Sequence, residues 1–131
     1  MRAHVLIALF AVAVAGMAAT AAAELIVAEI AVGSGYDRET RSLTGEAEAF
    51  AADTPRVWCR TRITGAQTPT TIIHVWYHRD QTVARVELEV GSPDWRTFSS
   101  KALLPAWTGQ WEVRVLDTAG NLLATAPFTV E

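Results

Sequence analysis

From Arg56 onward the chain alternates. Val57, Cys59, Thr61 and Ile63 share one side of a run ending at Thr64, with Arg56, Trp58, Arg60 and Arg62 on the other. A period of two marks a strand with one buried face, and the apolar set is the expected core face. The next run, Thr71 to His78, sets Ile73, Val75 and Tyr77 against Ile72, His74, Trp76 and His78. After a turn at Arg79-Asp80, Ala84, Val86, Leu88 and Val90 oppose Arg85, Glu87 and Glu89, so these two runs should form a hairpin. Gly91-Ser92-Pro93-Asp94 interrupts the pattern before Trp95-Arg96-Thr97-Phe98. Leu103 to Thr108 is a further crossing, and Gly109 permits the turn into a strand in which Trp111, Val113 and Val115 oppose Glu112 and Arg114. Asp117-Thr118-Ala119-Gly120-Asn121 is a strong turn signal, and Leu122 to Val130 closes the chain with Ala124, Ala126, Phe128 and Val130 on one side.

The first half is less regular. Glu24 to Val32 is short and apolar, a first strand expected at a sheet edge and stopped by Gly33-Ser34-Gly35. Tyr36 to Ala52 carries neither a period of two nor one of 3.6 and is expected to be a long connection, with Phe50 as its anchor into the core and Pro55 at its end. No heptad appears. About seven short strands separated by turn chemistry predict an all-β fold, an antiparallel immunoglobulin-like β-sandwich spanning residues 24–131 as a single domain.

The residues before Glu24 change the picture from a domain to an exported domain. Arg2 and His4 precede an unbroken apolar run from Val5 to Ala15, and small residues lead to Ala21-Ala22-Ala23. This is the pattern of a secretory signal peptide over residues 1–23, cut after Ala23. The alternative is an uncleaved N-terminal anchor holding the domain on the periplasmic side, against which stand the alanine-rich second half and the missing cationic flank. Cleavage leaves no stable membrane insertion and a periplasmic or secreted domain. Without Arg2, ten Lys and Arg face fourteen Asp and Glu, a net charge of −4 that argues against a nucleic-acid partner. Cys59 is the sole cysteine, so no internal disulfide can form and no cysteine stands at the cleavage point for lipid attachment. Its place beside Val57 and Thr61 suggests a small buried hydrophobe, the alternative being an intermolecular disulfide.

The order Arg56-Val57-x-Cys59, Ile73-His74-Val75-Trp76-Tyr77-His78, Trp95-Arg96-Thr97-Phe98-Ser99-Ser100-Lys101, Gly109-Gln110-Trp111-Glu112-Val113, and then Asp117 with Gly120 before Phe128-x-Val130 resembles the bacterial Domain of Unknown Function 2914 family. The resemblance extends over residues 24–131, including Asp37-Arg38-Glu39. It implies a small exported bacterial domain and brings no catalytic residues or cofactor with it.

Two constellations could carry chemistry. If the strands near 56–64, 71–78 and 83–90 are neighbours in one sheet, Trp58, Arg60, His74, Trp76, Arg85 and Glu87 form an aromatic and cationic band on its outer face. Such a band can bind sugar rings and hydroxyls, or can be a ladder of cation-π contacts with no ligand. The second is Trp95 and Arg96 with Ser99, Ser100 and Lys101, whose hydroxyls and two cations could hold a carboxylate or phosphate. The competing structural account puts Trp95 or Phe98 in the core, the serines on turn backbone and Arg96 on Glu87 or Glu89. Metal binding has little support, because His74 and His78 on one strand face lie ~13 Å apart. Ser99 or Ser100, His74 and Asp94 make a nucleophile, base and orienting acid on paper only, with no Gly-x-Ser-x-Gly turn to present the serine. The chain therefore reads as a non-catalytic, cofactor-free interaction module for a protein partner in the cell envelope. The alternative is a binder of envelope glycan, with a hydrolase as a third class.

Overall fold

The computed structural model describes residues 24–131; the expected signal peptide over residues 1–23 lies outside them. Nine strands follow one another: β1 (Ile26–Asp37), β2 (Ser42–Glu46), β3 (Ala49–Phe50), β4 (Arg56–Thr64), β5 (Thr70–His78), β6 (Gln81–Val90), β7 (Asp94–Ala102), β8 (Gly109–Leu116) and β9 (Leu122–Val130). They build a four-stranded sheet in the order β2-β1-β4-β7 and a five-stranded sheet in the order β3-β9-β8-β5-β6. Non-consecutive antiparallel neighbours, β4 with β7 and β5 with β8, give the Greek-key connectivity of an immunoglobulin-like sandwich. Only β3 departs from antiparallel pairing, running parallel to β9.

Local sequence accounts for the strand ends in the second half. Arg79 and Asp80 take φ of 49° and 64°, the two left-handed positions of the tight hairpin turn between β5 and β6. Asp117 accepts bonds from the Ala119 and Asn121 amides on one oxygen and from the Asn121 side chain on the other. The Asn121 side chain, then these amides, hold the Asp117 carboxyl below the usual carboxylate range. The β8–β9 turn is thereby fixed where its sequence signal placed it.

The first half corrects the sequence reading. Gly33-Ser34-Gly35 does not stop the first strand, which runs through to Asp37 and pairs there with β2. Glycine is needed at position 33, where a Cβ would stand 2.5 Å from the Thr44 carbonyl oxygen, and a Cβ at Gly35 would press on the Thr44 hydroxyl. Nor is β1 an edge strand throughout, since it lies between β2 and β4. The expected long connection from Tyr36 to Ala52 contains β2 and β3, and Phe50 is buried as anticipated.

Two apolar clusters fill the sandwich. The larger gathers Val57, Cys59, Trp76, Trp111, Val113 and Phe128, and the smaller Ile63, Ile72, Val90 and Val115. The faces of β4 fall as its alternation predicts, with Val57, Cys59, Thr61 and Ile63 fully buried. Cys59 is 0% exposed and its thiol is pushed up to about 12 by burial. Its full burial leaves the sulfur inaccessible to a second chain while the fold is intact, which disfavours the intermolecular disulfide.

Candidate functional site

The band expected on a single sheet does not exist. β4 belongs to one sheet and β5 with β6 to the other, so Trp58 and Arg60 are separated from Arg85 and Glu87 by the thickness of the sandwich. His74 and Trp76 are on the core face of β5, both 0% exposed. The alternation of β5 misleads because its two faces are equally apolar. Ile72 through Trp76 are all buried, and the outward Val75 lies in register between Arg85 and Arg114, long side chains whose stems can cover it. Arg85 pairs with Glu87 on the exposed face of β6.

His74 instead centres a polar layer inside the core. Its Nδ1 lies 2.6 Å from Ser99 Oγ and its Nε2 3.1 Å from Thr61 Oγ1, while the Trp76 indole donates to Ser99 Oγ at 3.0 Å. With one lone pair of Ser99 taken by Trp76, its hydroxyl proton can go to His74 Nδ1, leaving Nε2–H to donate to Thr61; every polar atom of the layer is then satisfied. Burial lowers the imidazole from 6.5 to about 4. The Ser99–His74 distance is that of a nucleophile and its base, yet both groups are enclosed. Asp94, the paper triad's third member, is exposed and engaged by Arg62 instead.

The second constellation also divides. Along β7, Trp95, Ser99 and Lys101 point to the opposite side from Arg96, Phe98 and Ser100. Trp95 packs half-buried against the smaller core cluster, and Lys101 stands over Trp107 at 5.2 Å. Phe98 lies on the outer face against Tyr36, not in the core. Ser99 serves the core layer rather than a turn, and Ser100 accepts from Arg56. Arg96 meets neither Glu87 nor Glu89, which are on the other sheet.

What the structure does assemble is a groove of about 470 Å3 on the outer face of the four-stranded sheet, lined by Thr40, Arg41, Arg62, Asp94, Trp95, Arg96 and Phe98. The β1–β2 hairpin folds over this face, so that Tyr36 stacks on Trp58 at 5.0 Å and meets Phe98 at 4.6 Å. Trp58 therefore has one ring face covered, and Trp76 has none free. The hairpin tip carries Arg41, at φ 55°, to the groove. Arg62 grips Asp94 with two bonds of 2.9 Å and reaches Glu29 at 3.3 Å. The Arg62 bond holds the Asp94 carboxyl below its ordinary range.

Arg41 and Arg96 have no carboxylate within salt-bridge distance among the described residues. Arg96 is also directly opposite Arg62 in the β4–β7 register. Arg60, next but one along β4, has its Nε buried with no hydrogen-bond partner. Arg96 and Trp95 were visible in the sequence as candidates. Arg41 and Thr40 were not, because only the folding of the hairpin over the sheet brings them there.

No curated protein matches the chain. The family model described as "Protein of unknown function (DUF2914)" matches residues 69–130, from the start of β5 to the end of β9. The match takes in Asp94 to Phe98 of the groove and leaves outside it the first four strands, with Arg41, Arg62 and the Arg56-Val57-x-Cys59 segment. Over residues 69–130 the chain is similar to this family of proteins of unknown function.

Proposed function

We propose that this chain is an exported, non-catalytic interaction module that holds a protein partner in the groove between the β1–β2 hairpin tip and the outer face of β7. The observation that carries the reading is the pair of uncommitted guanidinium groups, Arg41 and Arg96, beside the outward Phe98. Arginine and aromatic side chains dominate the energetics of protein interfaces. A hydrolase has little support: the Ser99–His74 pair is sealed, and substrate would have to open the core to reach it. The glycan reading loses Trp76 as a platform and keeps one face of Trp58.

The test compares the full-length chain with an Arg41→Ala, Arg96→Ala variant in affinity capture from the native envelope, after melting shows both to be folded. The expected result is one protein retained by the parent and lost by the variant. Capture that survives the double substitution would overturn the reading. Sedimentation of the parent alone with isolated envelope polysaccharide would transfer the groove to a glycan. Export is checked on the same material, whose N-terminal residue should be Glu24 and which should fractionate outside the cytoplasm.

A further inference from the structure

Arg62 and Arg96 are directly opposed across β4 and β7, and like charges in that position repel. Asp94 and Glu29 engage Arg62, but neither lies within salt-bridge distance of Arg96. The hairpin adds Arg41 to the same groove. This excess of positive charge stands on a chain whose residues 24–131 sum to −4, so it is a local arrangement and not a reflection of overall composition. Three arginines against Asp94 and Glu29 leave a local surplus of positive charge, which favours an anion supplied from outside.

The strand that presents Arg96 is itself incomplete. β7 pairs with β4 along one side and is the last strand of its sheet, so among the described residues its second edge offers backbone donors and acceptors to no strand. An open edge is a template for an incoming extended segment. A strand added there places every second side chain on the outer face, in line with Asp94, Arg96 and Phe98. A carboxylate beside Arg96 would then receive the guanidinium fork and offset its repulsion from Arg62. Phosphate shares the charge but not the backbone pairing, and the open edge favours the peptide.

Resting on the groove as the binding surface, we infer that its occupant is an acidic extended peptide segment of the partner, added along the free edge of β7 with a carboxylate on Arg96 and Arg41. The probe is a nine-residue capped peptide, matched to the length of β7, in which glutamate alternates with valine and threonine. It is titrated into the isotope-labelled full-length chain and followed by amide and guanidinium NMR shifts. A glutamine counterpart, inorganic phosphate and acetate are titrated alongside.

Saturable shifts along Asp94–Ala102 and at Arg96 are expected with the glutamate peptide. Glutamine for glutamate, and Arg96→Ala, should each weaken binding by about tenfold or more, as loss of a charge-assisted hydrogen bond requires. Arg96→Lys should recover part of that loss, because it restores charge without the fork. Equal binding of the two peptides, no shift with either, or phosphate binding as tightly as the peptide overturns the proposal. If the peptides bind alike while partner capture still depends on Arg41 and Arg96, the interaction module stands and the acidic strand falls. If the glutamate peptide binds but capture ignores both arginines, the module reading fails instead.

Discussion

Two side chains show how much a single residue's surroundings decide. His74 is held neutral because its burial between the sheets penalises the charged imidazolium. Its pKa is about 4 folded and 6.5 in the free side chain. The unfolded chain therefore binds the extra proton between those values, and stability falls as pH drops from about 6.5 to about 4, by roughly 3 kcal/mol in total. Urea titrations at a series of pH values should show this slope above pH ~5, before most carboxylates titrate, and His74→Leu should flatten it. Ser99→Ala strands both the imidazole and the indole in the core and should cost about 2–4 kcal/mol in the same measurement at neutral pH. Arg96 behaves oppositely. Arg96→Glu replaces a like-charge pair with an attractive one opposite Arg62 and should raise stability by a few tenths to about 1 kcal/mol while abolishing anion binding. A loss of stability in thermal melts would show that Arg96 has a structural partner.

At the scale of elements, the β1–β2 hairpin is the piece that makes the groove, and its close approach depends on Gly33. A methyl group there would press on the Thr44 carbonyl, which is backbone and cannot rotate away. Gly33→Ala should therefore cost about 1–3 kcal/mol and loosen the Tyr36–Trp58 stack, read as increased acrylamide quenching of Trp58 in a background where the other tryptophans are phenylalanine. The hairpin was also the element least legible in the sequence. β2 and β3 are five and two residues long, too short to display a period, and paired glycines look like a stop until a neighbouring strand explains them. From β4 onward, each run with polar residues on one side was assigned to the correct face. β5 was not, because a central strand buried from Ile72 to Trp76 carries no polarity contrast from which to tell inside from outside. The Trp95–Arg96 signal was real in part. Its neighbours Ser99 and Lys101 belong to other environments because adjacent residues of a strand face opposite ways.

For the whole molecule, Cys59 provides an internal reporter. It lies in the larger cluster, 0% exposed, with its thiol unavailable as thiolate near neutrality. A thiol reagent should label the native chain negligibly and should label it in urea along the same transition that tryptophan fluorescence reports. Labelling that precedes the fluorescence change would mean that the larger cluster opens without the smaller one.

The boundary between those clusters is where Thr61, His74 and Ser99 meet, and its atoms come from both sheets: β4 and β7 on one side, β5 on the other. Apolar contact is indifferent to small sliding, since one methyl group serves nearly as well as the next. Directional bonds are not, and displacing either sheet along the other by one residue pair would separate all the partners together. The layer works as a key in a keyway, setting the two sheets at one mutual offset. Resistance to shear should therefore reside in this narrow band, with the oily clusters on either side supplying cohesion but little grip.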